Sequence, residues 1–213
     1  MRVGDAIGLL LPGRCAACDA WGSAPLCEPC SAGVRWIAPP LCAACVSQPH
    51  PVRTRFAHAH AAVVYEGPAR DALKAFKLLG ERRNARWLAE RMVRVARPLN
   101  GDIVTWVPST RASEAARGFN PAEEIARPLA RSLRLPAKRL LTKRRDTLDS
   151  AGLSKEQRRV NLWRAFEAKG AVAGHVLLVD DIFTTGATAD ECAKALRLAG
   201  AREVSVVTFA RAI

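Results

Sequence analysis

The chain has 213 residues, with 33 Lys and Arg against 20 Asp and Glu, giving a net charge of +13. That length allows one α/β core and a small extra module, and no apolar run is long enough to cross a bilayer. The charge excess falls in two blocks, residues 53–97 and 111–164, and points to polyanionic partners: phosphate-rich small molecules or nucleic acid.

Met1 to Pro12 is mildly apolar but lacks a basic start and a small-residue cleavage site, so no signal peptide is expected and the location is expected to be cytoplasmic. Cys15-Ala-Ala-Cys18 and Cys27-Glu-Pro-Cys30 follow. Two thiolate pairs of this spacing complete a tetrahedral Zn²⁺ site, and the metal replaces the core that so short a stretch cannot build. A redox pair would need a βαβ setting that this stretch lacks. Cys42-Ala-Ala-Cys45 is a third half-site whose role the spacing leaves open. It is a remnant of a second ribbon, a contributor to the first site, or half of a second site with His50, His58 or His60.

Ala61 to Glu66 reads as a strand, Gly67-Pro68 as a turn, and Ala69 to Leu79 as a helix carrying Lys74 and Lys77. A second helix, Glu81 to about Arg97, turns Trp87, Leu88, Arg91, Met92 and Val95 inward and lays Arg83, Arg86, Arg94 and Arg97 along another face. Asp102 to Pro108 is the next strand. It opens into a loop with Ser109, Thr110, Arg111 and Arg117, suited to a phosphate group, before a helix that starts at Pro121 with Asn120 as cap. Residues 138–164 hold the densest charge around a segment without period, a basic loop able to close over a pyrophosphate or to meet nucleic acid.

The most informative stretch is His175-Val-Leu-Leu-Val-Asp-Asp-Ile-Phe-Thr-Thr-Gly-Ala-Thr188. Val176 to Val179 reads as a buried parallel strand, with Asp180 and Asp181 at its end. Thr184, Thr185, Gly186, Ala187 and Thr188 form a small turn before a helix, whose free N–H groups, hydroxyls and dipole suit a phosphate. Asp180 and Asp181 beside an anion site make sense when the ligand also offers hydroxyl donors, as a ribose 5-phosphate does. This order resembles the phosphoribosyl-pyrophosphate (PRPP) motif of type I phosphoribosyltransferases. A last strand, Glu203 to Ala210, completes an α/β pattern of alternating strands and helices. The expected architecture is a doubly wound parallel sheet of type I phosphoribosyltransferase type over 53–213, preceded by a zinc-ribbon module over 1–52.

The chain as a whole resembles the ComF family of competence-associated, phosphoribosyltransferase-like proteins. The resemblance rests on the cysteine ribbon, Tyr65-Glu-Gly-Pro68 with Lys77, Arg117-Gly-Phe-Asn120, Gly152-Leu-Ser154 with Arg158 and Asn161, and Val179 to Thr188. It implies PRPP or another phosphorylated ribose as ligand, with Mg²⁺, and a role in handling single-stranded DNA during natural transformation beside a helicase-like partner. PRPP would place its 5-phosphate in Thr184–Thr188, its ribose on Asp180 and Asp181, and its pyrophosphate against Ser109, Thr110, Arg111 and Arg117. Many relatives carry a fourth Cys-x-x-Cys, absent here, so the second ribbon is expected to be degenerate; many also carry a glutamine where Ser150 stands, a departure that bears on the contacts of that loop. Two functions fit. One is phosphoribosyl transfer; the other is a non-catalytic DNA-binding protein that uses the cradle for a 5′-phosphate or nucleotide, with Trp87, Trp106 or Trp163 stacking on bases.

Overall fold

The computed structural model describes residues 13–22, 25–38, 54–78, 80, 82, 84–144, 162 and 164–212. Cys42, Cys45, His50, Ser150, the Gly152–Ser154 stretch, Arg158, Asn161 and Trp163 lie outside these.

Four valine- and alanine-rich strands form the central sheet: β1 (His58–Val64), β2 (Ile103–Trp106), β5 (His175–Phe183) and β6 (Glu203–Arg211). Their order is β1-β6-β5-β2, and every pairing is parallel. All four carboxyl ends therefore open on one rim. A short antiparallel pair, β3 (Leu141–Lys143) with β4 (Phe166–Ala168), makes a second sheet.

Both faces of the parallel sheet are covered, which is why its strands read as near-continuous apolar runs. One face carries α2 (Gly67–Leu78), α3 (Asn84–Ala96) and α5 (Pro121–Leu133), whose Leu73, Phe76, Leu88, Met92, Ile125 and Leu129 pack on Leu177, Val179, Val207 and Phe209. The other carries α6 (Ala187–Leu198), β3 and β4, where Cys192, Ala193, Leu196 and Leu141 meet Val176, Leu178, Val204 and Val206. The doubly wound parallel sheet expected from the sequence is the one observed.

The cysteine module includes the short helix α1 (Glu28–Ala32). It is docked, not tethered: Cys15, Leu26 and Val34 belong to the same apolar cluster as the three-helix face. Residues 35–37 run antiparallel along the outer edge of β1, with the Ile37 N–H donating to the Ala62 carbonyl and the Val64 N–H to Arg35. Arg94, one of the arginines on the second face of α3, donates to the Ile37 carbonyl and lies over Trp36. Trp106 is buried, and Trp87 packs on Phe209 with Arg91 stacked over it, so both belong to the core. Among the described residues no helix is long and apolar enough to cross a membrane.

Candidate functional site

The Sγ atoms of Cys15, Cys18, Cys27 and Cys30 lie within 4.8 Å of one another, and Cys18 and Cys27 are 3.5 Å apart. Zinc bonded to four thiolates at about 2.3 Å would space its sulfurs by about 3.8 Å, so the cluster is of the right size. Its electrostatics fit as well. Burial works to raise the Cys15 thiol, but N–H groups of Cys27, Ala17 and Cys18 outweigh it and bring the pKa to about 6. Cys30 is pushed up to about 12 by the Cys27 thiol beside it and by burial. One thiolate forms readily and the last resists, a conflict that a divalent cation removes. The four cysteines thus fit structural Zn²⁺.

The second cluster occupies the carboxyl rim of the sheet. The strand was expected to stop at Val179, with Asp180 and Asp181 beyond it. Instead β5 continues to Phe183, because β6 is long enough to keep pairing: Asp180 opposes Thr208, Ile182 Ala210 and Phe183 Arg211. The shorter β2 ends opposite Val179, so the aspartates stand past it on that side. Within a strand successive side chains point to opposite faces. Asp181 follows Leu177 and Val179 toward the helices, where Lys77 of α2 forms an ion pair with it. Asp180 follows Val176 and Leu178 toward the hairpin. Burial raises its pKa to about 6, against the pull of Lys77 and Lys143. Burial in turn lowers the Lys77 pKa; Asp180 opposes this, and the nearby Arg117 adds to it. Asp180, Asp181, Lys77, Lys143 and Arg117 therefore converge from four elements of the chain.

Thr184, Thr185, Gly186, Ala187 and Thr188 form the bend that leads into α6, and Thr184 and Thr185 face solvent. Gly186 holds φ +76°, and a Cβ there would meet the Phe183 ring at 2.8 Å, so glycine is required on both counts. The Thr185 hydroxyl accepts from the Ala187 N–H at 3.4 Å, and the Gly186 carbonyl accepts from Asp190. The bend is open rather than folded inward.

The sequence predicts a loop over Ser109 to Arg117. That segment contains a seven-residue helix, α4 (Arg111–Arg117), capped by Thr110, whose hydroxyl oxygen accepts from the Ser113 N–H at 3.0 Å. That hydroxyl is thus engaged with the protein. Three residues of Arg117-Gly-Phe-Asn120 also have structural duties. Gly118 closes α4 at φ +76°, and Phe119 is buried against Phe76. Asn120 caps α5 through the Ala122 N–H while its amide donates to the Val107 carbonyl. Arg111 and Arg117 are exposed, and neither forms a salt bridge among the described residues. The Val107 N–H donates to the Val179 carbonyl, which puts this segment beside the aspartates.

Sequence reasoning missed Arg55 and Phe56, which reach α6 and Phe183 across a long sequence separation. It also passed over Trp21 and Trp36, the most exposed tryptophans among the described residues. His58 and His60 both stand on β1, and His60 Nδ1 shares a hydrogen bond with the Val95 carbonyl.

Residues 6–60 match the family described as the double zinc ribbon domain. The chain is 38% identical over 113 residues to "Competence protein F" of Haemophilus influenzae, covering 50% of this chain and 48% of that protein. It is 34% identical over 114 residues to "DNA utilization protein YhgH" of Escherichia coli K12, covering 53% and 50%. It thus spans about half the length of the relatives it matches. Similar solved structures include the glutamine PRPP amidotransferase of B. subtilis (25% identity, TM-score 0.39, 58% of this chain and 25% of that one). Another is the purine phosphoribosyltransferase of Pyrococcus horikoshii (17%, 0.32, 56% and 71%). The competence and DNA-utilization relatives, together with the match of residues 6–60 to the double zinc ribbon domain, support membership of the ComF family.

Proposed function

We propose that the rim binds PRPP or another ribose 5-phosphate, and that this binding serves the handling of single-stranded DNA during DNA uptake. The observation that carries the reading is the convergence at one rim of an open threonine bend, a deep-set Asp180, and cations drawn from α2, β3 and α4. A phosphate would accept from the N–H groups of Thr184 to Thr188 at the start of α6. Asp180 would accept from the ribose hydroxyls. Asp181 is already paired with Lys77, so it acts by holding that ammonium toward the ligand. Arg117 offers a planar fork for pyrophosphate oxygens.

The donor set fits Mg²⁺ arriving with its ligand. The carboxylates here are too few for an all-protein cage, which suits an ion that keeps waters and phosphate oxygens. Bound, it would neutralise pyrophosphate charge. If transfer occurs, the contribution of Lys77, Arg111 and Arg117 is electrostatic, stabilising the departing pyrophosphate.

The link to DNA follows the names of the relatives and the +13 charge. A non-catalytic DNA-binding role is favoured by one observation: on the cysteine module, exposed Trp21 carries Arg14 over its ring, and Trp36 carries Arg94. Such pairs suit base stacking next to a phosphate backbone.

Calorimetry with PRPP and Mg²⁺ tests the rim. Wild type should bind, and Asp180→Ala with Asp181→Ala should lose at least roughly a hundredfold in affinity, the equivalent of two charge-assisted contacts. Undiminished binding by the double variant would sink the reading. Single-stranded DNA affinity across a salt series tests the second role, and a flat response would exclude the basic blocks as its footprint.

A further inference from the structure

The chain that leaves the cysteine module and enters β1 does more than connect. The Arg55 N–H donates to Asp190 Oδ1 at 2.6 Å, and its guanidinium donates to Oδ2 at 3.2 Å, so both carboxylate oxygens are held by one residue. Asp190 lies in the first turn of α6, directly after the threonine bend. A free carboxylate there would compete with any anion for the positive end of the helix. Next in sequence, Phe56 is buried and meets the Phe183 ring edge-on, with centroids 6.2 Å apart. Phe183 is the side chain against which Gly186 packs too closely for a Cβ. The Ala57 N–H then donates to the Val204 carbonyl and fixes the segment to β6.

We propose that Arg55 and Phe56 are positioning residues for the phosphate bend: Arg55 neutralises Asp190 so that α6 can receive an anion, and Phe56 holds Phe183 beneath Gly186. The inference rests on the ribose-phosphate reading of that bend. It makes the entry into β1 a part of the site, although Arg55 touches no ligand. The charge effect has a distinctive sign. Removing Arg55 leaves the charge of Asp190 unopposed and weakens anion binding, and removing the charge of Asp190 as well repairs the loss.

The test is calorimetry on the full zinc-loaded chain with ribose 5-phosphate and, separately, PRPP with Mg²⁺. The variants are Arg55→Gln, Asp190→Asn and the pair together. Arg55→Gln should weaken both ligands roughly two- to five-fold at low salt, with a smaller loss at high salt, as befits a partly exposed ion pair. Asp190→Asn should bind at least as well as wild type, and the double variant should match it. A double variant as weak as Arg55→Gln, or an Arg55→Gln that binds like wild type, overturns the inference while leaving the site reading intact. If Arg55→Gln does not fold, Asp190→Asn decides alone, because weaker binding there overturns the charge argument. Wild type that binds neither ligand defeats the site reading, and this inference falls with it.

Discussion

The two ends of β5 hold comparable numbers of polar side chains and treat them in opposite ways. At the amino end the polar groups satisfy one another. The His175 N–H donates to Asp102 at 2.7 Å, Asp102 also meets Arg202, and His175 Nε2 shares a hydrogen bond with Ser205 at 2.9 Å and lies 3.3 Å from Glu203. At the carboxyl end Asp181 pairs with Lys77, and Asp180 accepts from the Asp181 N–H at 2.9 Å. Asp180 is held above its ordinary pKa, Arg111 and Arg117 make no salt bridge among the described residues, and the threonines face solvent. Burying polar groups costs free energy unless they are paired. A closed network therefore reads as structure, and an open one of mixed charge as a site. Changes at the amino end should cost stability and spare ligand binding; changes at the carboxyl end should do the reverse or disturb both.

The sharpest case is Lys77→Met. It leaves the buried Asp181 without its partner, and the loss should be about 1–3 kcal/mol, below that of a sealed pair because the lysine is partly exposed. PRPP affinity should fall as well. Chemical denaturation with calorimetry on the same sample checks both, and unchanged stability would show that Asp181 is satisfied in some other way. The matching change at the amino end, Asp102→Ala, removes a charged acceptor from the His175 N–H and should cost about 1 kcal/mol. Its PRPP affinity should equal that of wild type. A loss of affinity there would break the division between the two ends.

Asp180→Asn should separate stability from function. In the unfolded chain an aspartate titrates at about 3.9, whereas folded Asp180 titrates at about 6. The folded state thus binds the proton more tightly. This contribution is fully present below the unfolded value and is lost as pH rises through about 6. Asparagine avoids the loss, so the variant should match wild type near pH 4 and exceed it above pH 6, by on the order of 1 kcal/mol once solvent screening is allowed for. It should bind PRPP poorly at every pH. Wild-type affinity should rise through pH 6, partly because phosphate itself ionises there, and the share of that rise missing in Asp180→Asn belongs to the carboxylate. A variant that is less stable at pH 8 would mean that Lys77 and Lys143 favour the anion more than burial penalises it.

Much of this was legible in the sequence because it is local. Val176 to Val179 announced a buried parallel strand, Cys-x-x-Cys spacing announced the thiolate cluster, and Asn120-Pro121 marked the start of α5. What escaped depends on distance along the chain. The strand could not be seen to run through Asp180 and Asp181, since that extension is set by the length of β6. Asp181 was read as a free acceptor because its partner lies on α2. The helix Arg111–Arg117 is too short for a hydrophobic period to declare itself. Arg55 and Asp190 are 135 residues apart and could be joined only by coordinates.

Arg117 gives the finest test of the rim. Its three neighbours in Arg117-Gly-Phe-Asn120 close a helix, fill the core and cap the next helix, so changing them would confuse folding with binding. Arg117 itself is exposed, and the motif leaves it the one residue without such a structural duty. Arg117→Lys keeps the charge near Lys77 and removes the planar fork. If the fork grips pyrophosphate oxygens in pairs, PRPP affinity should drop roughly three-fold while ribose 5-phosphate, which has no pyrophosphate, is unaffected. Thermal stability should not move. Equal losses for both ligands would place Arg117 on the 5-phosphate instead, and no loss for either would remove it from the site, leaving Lys77 and Arg111 to meet the pyrophosphate.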